Sequence, residues 1–95
     1  MDTMEQIKTH IKEVFDRMGF GDAILDITAY QGLTSRVAVR LRGDASMLIG
    51  ERGANLAALE HLLRKIIQKK VGPEQRFSLD LNDYRMRRME EVKQD

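Results

Sequence analysis

Two glycines three positions apart, Gly50 and Gly53, enclose a carboxylate and a guanidinium in the stretch Leu48-Ile49-Gly50-Glu51-Arg52-Gly53-Ala54-Asn55-Leu56. Glycine reaches backbone angles that a Cβ forbids and lets a second backbone approach closely. A glycine-flanked bend that opens a helix turns free N–H groups outward, where the helix dipole favours an anion. Arg52 adds a guanidinium able to grip a phosphate through two N–H groups. The chemistry open to such a segment is non-covalent capture of a phosphodiester. A G-x-x-G pair also serves as a plain tight turn between helices, so its surroundings decide between the two readings.

Those surroundings are a helix on each side and a strand beyond each helix. Residues 3–18 carry Met4, Ile7, Ile11, Val14, Phe15 and Met18 at helical spacing, with Thr3 and Gln6 suited to a capping box and Gly19 to a left-handed C-terminal cap. Residues 24–42 read as an antiparallel β-hairpin. In it Leu25, Ile27 and Ala29, then Val37, Val39 and Leu41, alternate with polar residues around the link Gln31-Gly32-Leu33-Thr34. Over 44–71 Asp44 caps a short helix, Ala45 to Ile49. The bend comes next, and a longer helix then runs to about Val71 with Leu56, Leu59, Leu63, Ile66 and Ile67 as its apolar stripe and Gly72-Pro73 as its stop. Residues 76–82, with Phe77, Leu79 and Leu81 alternating with Ser78 and Asp80, give a third strand. Residues 84–93, carrying Met86, Met89 and Val92, give a last helix. The expected architecture is α+β, αββααβ plus a C-terminal helix, with a three-stranded sheet covered on one face by helices. No linker or repeat divides the 95 residues, so one domain over 1–95 is expected. Strand order does not follow from the pattern.

Charge is distributed unevenly beneath a net charge of +1. Residues 1–33 hold three Lys/Arg against six Asp/Glu (net −3), residues 34–72 eight against three (net +5), and residues 73–95 five against six (net −1). A basic middle in a near-neutral chain points to a local anionic partner. The absence of cysteine excludes disulfides and thiolate zinc sites and fits the cytoplasm. No apolar run approaches the roughly 18 residues that span a bilayer, so no membrane partner is expected. His10 and His61 lack ligand spacing, so neither metal nor cofactor is expected. No nucleophile–base pair or P-loop supports an enzyme. Asp80 and Asp83 read as a solvated carboxylate and a helix cap. Tyr84 and Met86 read as docking residues, with the neighbouring arginines solvated, paired with Glu90 and Glu91, or touching nucleic acid. Arg36, Arg40 and Arg42 read as charges that blunt an exposed sheet face.

The helix–strand–strand–helix–GxxG–helix–strand order resembles a type II, prokaryotic KH fold. Two stretches, Leu48 to Glu60 and Leu79-Asp80-Leu81-Asn82-Asp83-Tyr84-Arg85-Met86-Arg87-Arg88, are similar more narrowly to the KH domain of the bacterial Jag (SpoIIIJ-associated) RNA-binding proteins. In that family a GxxG loop leads into an L-x-x-L-x helix, and the third strand ends in D-x-x-x-Y-R-x-R-R. The resemblance covers nearly the whole chain. It implies binding of single-stranded RNA, and of single-stranded DNA as a further ligand, with Gly50, Arg52 and Gly53 at the nucleic-acid backbone and Glu51, Ala54 and Asn55 among the binding residues beside them. It further implies that Ile49, Leu56 and Leu59 floor an aliphatic base groove bordered by Phe77 to Leu81. Glu51 departs from the family, whose loops usually carry a basic residue there. The alternative is a protein-interaction KH module with weakened RNA binding that forms a homodimer or pairs with another KH protein. Family members usually continue into a second module named for its R-x-x-x-H motif. The chain is expected to be either an excised piece of such a protein or a single-domain relative.

Overall fold

A computed structural model describes residues 2–30, 35–85, 87 and 88. The first helix, α1, spans Thr3–Arg17. Its N-cap is Asp2, whose carboxylate accepts the Glu5 N–H at 2.8 Å, so the cap sits one residue earlier than the Thr3–Gln6 pairing expected from sequence. Aspartate competes well for this place because its charge also complements the helix dipole. At the other end Gly19 takes φ +88°, and the N–H groups of Gly19 and Phe20 bond to the Asp16 and Phe15 carbonyls, closing a Schellman turn. Ile7, Ile11 and Phe15 are buried.

A three-residue 3₁₀ turn, Gly21–Ala23, leads into β1 (Ile24–Tyr30), which pairs antiparallel with β2 (Arg36–Leu41). The hairpin is as expected; its link, residues 31–34, lies outside the described residues. The facing of β1 differs from simple alternation. A bulge between Ile24 and Asp26 sets Ile24 opposite Leu41 and Asp26 opposite Arg40. One extra residue is thereby absorbed, and Leu25 is left 54% exposed. Ile24, Ile27 and Ala29 then face Leu41, Val39 and Val37 across the pair. On the other face Arg36 lies 4.5 Å over the Tyr30 ring, a cation–π pair on the open side of the sheet.

Helix α2 (Ser46–Ile49), a 3₁₀ turn (Glu51–Gly53) and α3 (Ala54–Lys70) form the crossover to β3 (Ser78–Leu81). β3 lies beside β2 and parallel to it, so the sheet order is β1-β2-β3. A parallel pair needs a long crossover, and the two helices supply one. Leu56, Leu59, Leu63 and Ile67 of α3 join Ile7, Ile11 and Phe15 of α1 and Val37, Val39, Leu79 and Leu81 of the sheet in one buried cluster. This is the α+β arrangement of a type II KH fold. Beyond β3, Asn82 and Asp83 take φ +49° and +59° and reverse the chain, after which residues 84, 85, 87 and 88 are helical. Met86, Met89 and Val92, and with them most of the expected last helix, fall outside the described residues. No helix among the described residues is long and apolar enough to cross a membrane.

The bulge separates two leucines that periodicity treats alike. Leu81→Ala should cost about 3 kcal/mol in urea unfolding, within the range for a buried leucine. Leu25→Ala should stay within about 0.5 kcal/mol.

Candidate nucleic-acid interface

The bend between α2 and α3 needs its two glycines for different reasons. Gly50 has φ +73° and ψ 178°, a region essentially closed to residues with a Cβ. A methyl group there would also lie 2.7 Å from Asn55 Cγ. Gly53 is left-handed, with φ +79° and ψ 17°, and a methyl group there would lie 3.0 Å from Tyr84 Cε1. The bend is thus braced on both sides. Asn55 reaches back and donates its amide to the Met47 carbonyl at 2.9 Å, capping the end of α2. Tyr84, brought round by the Asn82-Asp83 reversal, packs against Gly53 from the opposite direction.

Three of the bend's amides are satisfied internally, Gly50 N–H by the Ser46 carbonyl, Gly53 N–H by the Gly50 carbonyl and Ala54 N–H by the Glu51 carbonyl. The N–H groups of Glu51 and Arg52 have no acceptor among the described residues. Arg52 itself is left-handed, with φ +55° and ψ 24°, a conformation costing roughly 1–2 kcal/mol for a residue with a Cβ. Its side chain is exposed and makes no ion pair among the described residues, and the same holds for Glu51. Ahead of α2, Asp44 accepts both the backbone N–H and the hydroxyl of Ser46. These bonds, the hydroxyl's first, hold its carboxyl below the ordinary aspartate value.

The structure brings all nine sequence-selected residues to this one corner but divides their roles. Gly50 to Asn55 form the bend and its surface. Ile49, Leu56 and Leu59 belong to the core cluster, and Leu56 has no exposed surface. Leu56 and Leu59 anchor the bend from below, where sequence reasoning placed them on the floor of an open groove, while Ile49 both joins the core and borders the open depression beside the bend. The inner stripe of α3 is needed to bury the sheet and has no leucine to spare for the outside. The open relief beside the bend is a depression of about 450 Å³ whose wall includes Ile49, Gly50, Asn82, Tyr84 and Arg87.

A second group of residues is not legible as a unit in the sequence. Glu60, on α3, is buried to 9% exposure. Its Oε2 accepts the Leu79 N–H at 2.8 Å and the Arg85 guanidinium at 2.7 Å, and its Oε1 lies 3.4 Å from Arg64. Asp80, on β3, is only 2% exposed, and its Oδ1 accepts the N–H groups of Leu81 and Arg85, each at 3.0 Å. The sequence pattern assigns Asp80 to solvent and Asp83 to a helix cap. Asp80 is instead the buried group that holds the turn, because the Asn82-Asp83 reversal folds Arg85 back over it. Arg85 pairs with Glu60; Glu90 and Glu91 lie outside the described residues. The outward N–H groups of edge strand β3 at Leu79 and Leu81 are therefore taken by the protein's own carboxylates. Glu60 and Arg85 belong to the two segments similar to the Jag family, one residue in each; their separation by 25 residues hides the pairing.

No family model matches the chain. The chain is 34% identical over 82 residues to the RNA-binding protein KhpB of Clostridium symbiosum, an alignment covering 84% of this chain and 36% of that protein. Coupled with the αββααβ order and the mixed sheet, this decides the relationship. The chain is a Jag-like KH domain. It spans about a third of the length of the relative it matches. Within this KH domain the Glu60 network ties the helix that leaves the loop to the last strand and to the turn bearing Tyr84, the loop's brace.

Glu60→Ala would leave the Leu79 N–H and two guanidinium groups without their acceptor. It should cost this KH domain about 2 kcal/mol in urea unfolding, since both arginines are partly solvated and recover water. Glu51→Ala, at an exposed site without partners, should stay within about 0.5 kcal/mol.

Proposed function

We propose that this KH domain binds single-stranded RNA, with the bend Gly50-Glu51-Arg52-Gly53 holding the sugar-phosphate backbone. The observation that carries the reading is the pair of unpartnered N–H groups at Glu51 and Arg52, placed at the mouth of the 17-residue α3 beside a free guanidinium. Backbone N–H groups at the start of a helix, reinforced by its dipole, suit a phosphodiester oxygen. Arg52 supplies the accompanying charge. The KhpB relative is itself named as RNA-binding.

The bases would lie against the depression walled by Ile49, Tyr84 and Arg87, with Leu56 and Leu59 fixing its position from the core. The carboxylates of Glu60 and Asp80 already hold the edge donors of β3. Base reading by that strand is thereby reduced, and backbone capture dominates. The chain has five aromatic side chains in all, 5% of its residues, so stacking on rings contributes little and sequence preference is modest. Backbone capture by amides does not depend on the ribose 2′-hydroxyl, so single-stranded DNA is a second ligand. Glu51 opposes an incoming phosphate at a screened, exposed site, a cost of about 1 kcal/mol.

Affinity for short RNA measured against salt should fall with a log–log slope of about −2 to −3, the value for three or four phosphates at roughly 0.7 each. Glu51→Lys should tighten binding about fivefold or more, since it replaces a repulsion by an attraction. Arg52→Ala should weaken binding about fivefold or more with an unchanged far-UV circular dichroism spectrum, while Gly50→Asp combined with Gly53→Asp should abolish binding at a cost in stability, since both positions take backbone angles unfavourable to a Cβ. A salt-independent affinity, or full binding by the double aspartate variant, would exclude the clamp.

A further inference from the structure

We infer a second anion site on this domain, a pocket on α3 that takes a phosphodiester of the strand after it leaves the bend; the inference rests on the RNA-binding reading of the bend. The pocket has a volume of about 280 Å³ and is lined by His61, Arg64, Lys65, Gln68 and Arg76. Three of the five are permanent cations, one is an imidazole, one is an amide, and no carboxylate is among them. Such a lining gives the pocket a positive potential that favours an anion.

The arrangement is held by specific bonds. Arg64 Nε donates to the Phe77 carbonyl at 2.8 Å, and Gln68 Nε2 donates to the Gln75 carbonyl at 3.3 Å. These two bonds straddle Arg76 and pin the segment that carries it against α3. Arg64 is further committed to Glu60. Lys65 and Arg76, both exposed, make no hydrogen bond or ion pair among the described residues. They are the two cations free to meet a ligand.

The pocket is also on the way out of the bend. Ala54, Ala58, His61 and Lys65 share one face of α3, and all four are exposed. The first two carry no side-chain atom beyond Cβ, so nothing on this stripe stands between the bend and His61. Lys65 lies eleven residues beyond Ala54, about 16 Å along the axis at 1.5 Å per residue. With the roughly four nucleotides that a loop of this type holds centred on the bend, about two of them, roughly 12 Å of extended strand, run toward α3 and stop short of the pocket. The pocket therefore binds only strands longer than the clamp needs.

The test compares oligouridylates of four and of ten nucleotides by fluorescence anisotropy over a series of KCl concentrations. The Lys65→Ala/Arg76→Ala variant should bind the tetramer as the unaltered domain does. It should bind the decamer about fivefold or more weakly, with a salt slope shallower by about 1.4, two contacts at roughly 0.7 each. Arg40→Ala/Arg42→Ala, which removes the same charge at the sheet, should leave the decamer slope unchanged. An unaltered decamer slope in the pocket variant overturns the site. Equal weakening by the sheet variant overturns it too, since general charge would then explain the effect. If the glycine variants lose the tetramer while the pocket variant keeps full decamer affinity, the second site falls and the clamp stands. If the unaltered domain binds neither oligomer, both fall.

Discussion

At the junction of α2 and α3 the backbone must turn within four residues, and two of the four conformations it uses are open at low cost only to glycine. Gly50 occupies a region near φ +73°, ψ 178°, and Gly53 the left-handed region. Arg52, also left-handed, is the residue that bears strain. Such a turn persists only if its neighbours hold it, and here Asn55 and Tyr84 press on the two glycines from opposite sides. The turn in its place sets the start of α3, the crossover that makes β3 parallel to β2, and a pair of amides left facing outward. A side chain at Gly50 would overlap Asn55 and one at Gly53 would crowd Tyr84, so the bend and its braces form one unit.

The second constraint is the cost of burying carboxylates. Glu60 and Asp80 are both largely removed from water, which is tolerated only when the charge is paired or hydrogen-bonded. Glu60 meets this through a backbone N–H and two arginines, and Asp80 at Oδ1 through two N–H groups, its strand neighbour's and that of Arg85 beyond the turn, while its buried Oδ2 has no partner among the described residues. Because these partners come from α3, β3 and the turn beyond it, satisfying the charges also fixes where Tyr84 lies, and so supports the bend. The same bonds blunt the edge of β3, whose outward donors at Leu79 and Leu81 are no longer open to another strand. The cations proposed to meet the strand lie elsewhere, on the bend and beside α3.

Charge placement agrees with this division. The net +5 of residues 34–72 is not spread evenly over the molecule. Arg64 is spent on Glu60, and Arg36 stacks on Tyr30 at the far side of the sheet. Arg52, Lys65, Lys69 and Lys70, and beyond that segment Arg76, are without side-chain partners among the described residues and occur on the bend, on the helix that leaves it and beside that helix, while Arg40 and Arg42, equally without such partners, lie at the sheet. Glu51 is the one carboxylate set in the bend itself. It subtracts from the local potential at the point where a phosphate would approach most closely.

By itself the sequence determined the elements and the bend. Helical and alternating periodicities are local properties, and glycine at positions 50 and 53 states a local backbone requirement. Tertiary structure decided whatever depends on neighbours remote in the chain. Strand order and parallel pairing come from how the crossover packs, and the bulge at Leu25 from the need to seat Ile24 opposite Leu41. The inner stripe of α3, read as a groove floor at Leu56 and Leu59, is claimed by the core because that stripe is the surface available to cover the sheet. Asp80, polar and on an alternating strand, reads as solvated in the sequence, yet the left-handed pair Asn82-Asp83 folds the chain back over it. A side chain's type and spacing report which face of its own element it takes. Whether that face meets water or another element is set by contacts between segments tens of residues apart, and no local pattern encodes them.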